Sequence, residues 1–404
     1  MNHHEVAVTG LGVMAPYGDE PGALFQALLQ ARSAIQPVFS ELPKPAAAAT
    51  VAFDETRWFT KLQLAGVDRV SQLAVAAADL ALRDANLSLA DADLERVGVY
   101  AGCGMGGAAA LEAAYRGNGR VSPLTIPAFM PNAPAAHVAM RNGVLGPVLT
   151  YSVACASSSV AIAEAAKAIQ RGEVDIAIAG GSEALIVPGV VLAWQAMQTL
   201  ATFQPGEAAG AVRPFASDRS GFALGEGAAF LVLESAERAR RRGARSYATL
   251  AGWGLSSDAT HLTKPDAPGQ ARALRQALRQ AGLQPRDVGY CNAHGTATRI
   301  GDVVERNALA EVWGDDFDGL RVSSTKALHG HMLGAAGAIE ALITVLALHQ
   351  RQLPPNANCS EIDPACSMNL VTQADTAAPA LEAAISNSFA FGGTNSVLLF
   401  RRAD

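Results

Sequence analysis

Paired cysteines are missing from this chain. Its 404 residues include only five, Cys103, Cys155, Cys291, Cys359 and Cys366. Their odd number, wide scatter and lack of CxxC spacing argue against a disulfide framework and a cysteine-based zinc site. Long apolar runs are scarce too. The most apolar segment, 174–200, is interrupted by Asp175, Gly180, Gly181 and Glu183. It cannot serve as a transmembrane helix of about 20 residues. The opening MNHHEVAVTG lacks the basic region and apolar stretch of a secretory signal. There is no basic excess, for the net charge is −6, which disfavours nucleic-acid binding. The local exception, ERARRRGARSY, reads as a solvated helix end closed by Gly243, with a docking patch as its other use. These absences predict a soluble protein of a reducing, cytoplasmic compartment.

The composition is that of a globular chain: half hydrophobic, 17% charged and rich in turns, with 38 glycines. The length suggests two lobes. The chain also looks duplicated. ALRDANLSLADADLERVGVYAGCGMGG (81–107) and ALRQAGLQPRDVGYCNAHGTAT (277–298) each give a helix end, a capping Asp and a strand running into a Gly-bearing turn. Two later segments, YSVACASSSVAIAEAAKAI and RVSSTKALHGHMLGAAGAIEALITVLAL, each give a strand, a polar turn and a helix. Two α/β halves are expected, 1–245 and 246–404, joined near the arginine cluster. Strands alternating with helices imply largely parallel sheets covered on both faces.

The stretch VACASSSVAIAEAAKAIQRG (153–172) places Cys155 where a strand meets a helix. Ser157, Ser158 and Ser159 are available to cap that helix, and Gly172 to stop it. The start of a helix dipole lowers a thiol pKa and favours a reactive thiolate. A small buried hydrophobe is the competing reading. Three other turns carry polar chemistry: NAHGTAT with His294, STKALHGHMLGAAG with Lys326, His329 and His331, and NSFAFGGTN with Phe391. His329 and His331 lack the i, i+4 spacing of a zinc pair and have no flanking carboxylate, so no metal site is expected.

In this order, VACASSS, NAHGTAT, STKALHGHMLGAAG and NSFAFGGTN resemble the β-ketoacyl-acyl carrier protein synthases of the elongating, Cys–His–His type. These are condensing enzymes of the thiolase fold. The resemblance spans nearly the whole chain, including VTGLGVMAPYG and RPFASDRSGFALGEGAAFLVLE. It implies a duplicated, five-layered αβαβα α/β fold and a homodimer or a heterodimer with a related subunit. The acyl carrier protein is the implied partner, with phosphopantetheine carried on it and no cofactor held by the enzyme. Cys155 would be the acyl-accepting nucleophile, and His294 and His331 would donate to the thioester oxygen during decarboxylation. The oxyanion hole would be formed by the N–H groups of Cys155 and Phe391. Lys326 would keep the histidines uncharged or form an ion pair with Glu340. Thr296 and Thr298 would bind the phosphopantetheine arm, and Phe389 and Gly392 would line the substrate path. Asp302 and Glu305 would be structural, and His329 only a neighbour.

This chain departs from the resemblance at Ala390, where fatty-acid relatives usually carry glycine before the gating Phe391. Ala65 and Gly66 stand where docking cations are common, which shifts docking onto Arg69, Arg116 and Arg120. These features keep polyketide or polyene assembly beside fatty-acid synthesis. The alternatives are a non-catalytic partner subunit of a ketosynthase heterodimer and a Cys–His hydrolase. Thiolase and initiating synthases fit less well, since they place Cys or Asn where this chain has His331.

Overall fold

The computed structural model describes residues 5–375, 377–378 and 380–403. Ten strands form one sheet. The first half contributes Val6–Met14, Val97–Gly102, Val148–Tyr151, Ile176–Glu183 and Gly227–Ser235. The second contributes Ala248–Ser257, Tyr290–Asn292, Arg321–Ser323, Ala383–Phe389 and Thr394–Arg402. Numbered in chain order within its half, each set of five runs 3-2-4-5-1 across the sheet. Strand 2 lies parallel to 3 and 4, whereas 4–5 and 5–1 are antiparallel, and this holds in both halves. The two first strands meet at a short antiparallel seam, Val6–Val8 against Ala248–Leu250. The final strand therefore lies inside the sheet, paired on both sides, and is not an edge.

Helices complete the layers. Ser157–Gln170 and Ala336–Gln350 pack on each other and on strands of both halves, forming the central layer. Arg69–Asp84 covers the outer face of the first half, and Ala267–Ala281 with Gly301–Trp313 covers that of the second. The fold is thus mixed α/β with thiolase-like layering. The stretch Leu333–Gln350 is long and apolar enough to cross a membrane, but it is almost wholly buried in this central layer. A helix apolar all round belongs in a core.

The repeat extends to packing detail. A Cβ on Gly10 or Gly12 would lie 2.3 or 2.0 Å from a carbonyl oxygen of the covering helix. At Gly252 and Gly254 the distances are 2.4 and 1.8 Å. Only glycine lets either outer helix sit so close to its first strand. The first helix is Pro21–Leu29, so Leu24 and Leu28 lie on its buried side, whereas Ala31 lies beyond it with φ +53°.

Candidate active site

Cys155 sits between the strand Val148–Tyr151 and the helix Ser157–Gln170. The preceding Ala154 has φ +46°, an uncommon conformation for a residue with a Cβ. Ser157 locks this turn: its Oγ accepts from Val153 N–H at 2.9 Å and donates to Ala154 O at 2.6 Å. The serines do not act as N-caps, because the helix already starts at Ser157. Ser158 Oγ instead accepts from Ala338 N–H at 2.9 Å, and Ser159 Oγ bonds Ser396 Oγ at 2.7 Å. Both tie the Cys155 helix to the second half.

His331 comes from the second half. Its backbone is clamped to the 223–225 segment, donating to Ala223 O at 2.7 Å and accepting from Gly225 N–H at 2.9 Å. Its Nδ1 accepts the Leu333 N–H at 3.3 Å. That bond assigns the hydrogen to Nε2, which faces Cys155 Sγ at 3.1 Å. His294 follows the strand Tyr290–Asn292. The buried Glu305 carboxylate fixes its turn by accepting the N–H groups of His294 and Gly295 at 2.9 and 2.8 Å. The two imidazoles stand edge to face, with centroids 5.5 Å apart. Ligand atoms of Cys155, His294 and His331 all lie within 4.8 Å of one another.

Burial sets the electrostatics. It pushes His294 and His331 well below the usual histidine range, and the Lys326 cation lowers both further. Both rings are neutral N–H donors at pH 7. Burial also pushes the Cys155 thiol up to about 12, opposed by Lys326 and by the cysteine's own N–H. The thiolate expected from the helix start is therefore not the resting form, because desolvation outweighs the dipole. Lys326 is fully buried, pairs with Glu340 and donates to His294 O at 2.6 Å. The ion pair and the field on the histidines are one arrangement.

A cavity of about 370 Å³ connects these groups. Thr296 and Thr298 line it, with hydroxyls 3.1 Å apart. Phe389 lines it beside His294, with ring centroids 6.1 Å apart, and Phe391 lines it against Trp194, also at 6.1 Å. Among the described residues, the Phe391 N–H has no acceptor. Gly392 does not line the cavity: its N–H is spent on Leu262 O at 2.7 Å, and Gly393 faces the space instead. Lys326 stands behind the lining, not in it.

Asp302 and Glu305 also line the cavity, whereas His329, Arg69 and Arg116 do not. Asp302 is buried and accepts from Phe215 N–H at 2.7 Å, a structural use. His329 is buried against Thr325 Oγ1 at 2.9 Å, away from the lining. Arg69 is not a free docking cation, because Glu226 grips it through two bonds of 2.9 and 2.6 Å. Arg116 pairs with Glu112 at 2.5 Å. Sequence reasoning missed Trp194, the 258–265 loop over the cavity, and the buried Glu183.

The chain is also similar to known proteins along its length. Residues 3–239 match the family model "Beta-ketoacyl synthase, N-terminal domain", and residues 247–360 match "Beta-ketoacyl synthase, C-terminal domain". Nodulation protein E of Rhizobium sp. (strain N33) is 40% identical, with 98% of this chain and 99% of the relative covered. The 3-oxoacyl-[acyl-carrier-protein] synthase 2 of Staphylococcus aureus (strain COL) is 36% identical, with 98% of each covered. Among solved structures, a type II PKS ketosynthase in complex with its acyl-carrier protein superposes with a TM-score of 0.91 at 30% identity, covering both chains fully.

Proposed function

The chain belongs to the β-ketoacyl synthase family, and from that premise we propose that it is an acyltransferase joining a Cys155-bound acyl group to malonyl-carrier protein, in fatty-acid or polyketide assembly. The first step is thioester exchange. Cys155 Sγ bonds the acyl carbon, and the carrier's thiol leaves with the proton. Cysteine suits this because its thioester stays as reactive as the one consumed. The N–H groups of Cys155 and Phe391 would hold the tetrahedral oxyanion, each worth about 3 kcal/mol.

In the second step the malonyl carboxylate leaves as CO₂. The negative charge then rests on the thioester oxygen, where the N–H groups of His294 and His331 meet it. The carbanion attacks the acyl carbon, and the Cys155 thiolate departs and is reprotonated. Neutral rings serve here, and burial with Lys326 keeps them neutral. Thr296 and Thr298 would guide the phosphopantetheine arm of the carrier, so no cofactor resident in the enzyme is required. We place the division of the chain at 245/246. We place the reaction in the cytoplasm, where five free cysteines stay reduced.

One observation carries this reading: sulfur from the first half and two imidazoles from the second meet in one buried cavity. A non-catalytic partner subunit would have no need of that convergence. The test is mass measurement after incubation with acyl-carrier protein, together with CO₂ release from malonyl-carrier protein. One acyl adduct should form, and Cys155→Ala should abolish it. His331→Ala should keep acylation within about tenfold while condensation falls about 100-fold or more. Equal loss of both steps in His331→Ala, or no adduct on the unaltered protein, would overturn the assignment.

A further inference from the structure

Behind His331 the two halves touch through a carboxylate that the reaction does not use. Glu183 ends the strand Ile176–Glu183 and is fully buried. It does not line the cavity. Its Oε2 accepts the N–H of Gly104 at 2.8 Å and that of Gly334 at 3.0 Å. Its Oε1 accepts the Met105 N–H at 3.4 Å and faces Cys103 Sγ at 3.8 Å. The nest admits no side chain. A Cβ on Gly104 would lie 2.5 Å from Oε2, and one on Gly334 would lie 2.4 Å from Gly104 N and 2.5 Å from Oε2. Gly104 of GCGMGG and Gly334 of LGAAG are therefore shaped around this oxygen.

Gly334 follows Leu333, a buried residue held at φ +45°. Such a backbone persists only where its surroundings fix it. The Leu333 N–H is the group that occupies His331 Nδ1. We infer that Glu183 is a positioning residue: by accepting the Gly334 N–H it holds the Leu333 peptide against His331 Nδ1, which keeps the imidazole hydrogen on Nε2 and aimed at Cys155. The chain of contacts runs from the first-half sheet, through a turn of the second half, back to the sulfur. It rests on the condensing reading only in what the aimed hydrogen is for.

Two variants separate acceptor placement from the carboxyl group itself. Glu183→Gln keeps an oxygen where Oε2 stands and replaces the carboxyl with an amide. Glu183→Asp keeps the carboxyl and withdraws the oxygen by one methylene. Nitrogen-15 NMR of the histidine rings reports which nitrogen of His331 carries hydrogen, and the acylation and condensation assays run beside it. Glu183→Gln should keep the Nε2–H form and condense within about threefold of the parent. Glu183→Asp should show mixed tautomers, with condensation down about 10-fold to 100-fold, less than the loss of a whole oxyanion donor, and with Cys155 still acylated. An unchanged His331 tautomer in folded Glu183→Asp would overturn the inference. So would a tautomer change in Glu183→Gln, which decides the matter alone if the Asp variant does not fold. Failure of the parent to release CO₂ from malonyl-carrier protein would defeat the condensing reading and leave the tautomer result standing.

Discussion

Replacing Lys326 with methionine tests whether its buried charge both supports the fold and tunes the histidines. Lys326 pairs with Glu340, and both side chains are wholly buried. Removing one partner of such a pair strands the other charge, a loss of about 3–5 kcal/mol. Unfolding entropy near 2.1 cal/mol/K per residue makes each kcal/mol worth about 1.2 °C in a chain of this length. Differential scanning calorimetry should therefore show Lys326→Met melting roughly 4–6 °C below the parent. The double variant Lys326→Met/Glu340→Gln leaves no stranded charge and should recover most of that. It still lacks the donor to His294 O, worth about 1–3 kcal/mol if that oxygen stays unpaired. The functional sign follows from the same cation. Lys326 lowers the pKa of both His294 and His331, so its removal raises both. A rise brings protonation toward neutral pH, and a proton on His331 Nδ1 would confront the Leu333 N–H. The acid limb of condensation in the double variant should thus move to higher pH, while the parent keeps full activity further down. An unchanged melting temperature in the single variant would refute the reasoning. So would a double variant as unstable as the single one, or an acid limb that does not move.

Two further outcomes can be checked. With the Cys155 thiol at about 12, its alkylation by iodoacetamide should rise about tenfold per pH unit from pH 7 to 10; a plateau below pH 9 would show a thiolate already formed. Gly254→Ala would set a Cβ 1.8 Å from Ala273 O, forcing the helix Ala267–Ala281 off its strand at a cost of about 1–3 kcal/mol. A melting temperature equal to the parent's would contradict the close packing.

The cluster at the cavity was legible because its residues lie in short turns whose polar content stands out from apolar surroundings. His294, His331 and Cys155 are such cases, and the fold gathers them. The duplication was visible in the repeated strand, turn and helix, although the shared 3-2-4-5-1 order required coordinates. Depth was not legible. A helix start argues for a thiolate, but only the surroundings of Cys155 reveal that desolvation prevails. Glu183 escaped notice because it reads as a lone charge interrupting an apolar run, when it is the buried end of a strand bonded to three N–H groups. Trp194 gave no signal either, since its partners Phe222 and Phe391 lie far away in sequence. Gly392 was misplaced by one residue, because a glycine pair does not disclose which member faces inward.

The shared strand order gives Cys155 and His331 a common address. Each follows the third strand of its repeat and precedes the central helix. An ancestor built from two identical copies would have presented the same residue twice across its axis, sulfur opposite sulfur or imidazole opposite imidazole. Within one fused chain that constraint is absent, and the two counterparts differ, a thiol in one half and an imidazole in the other.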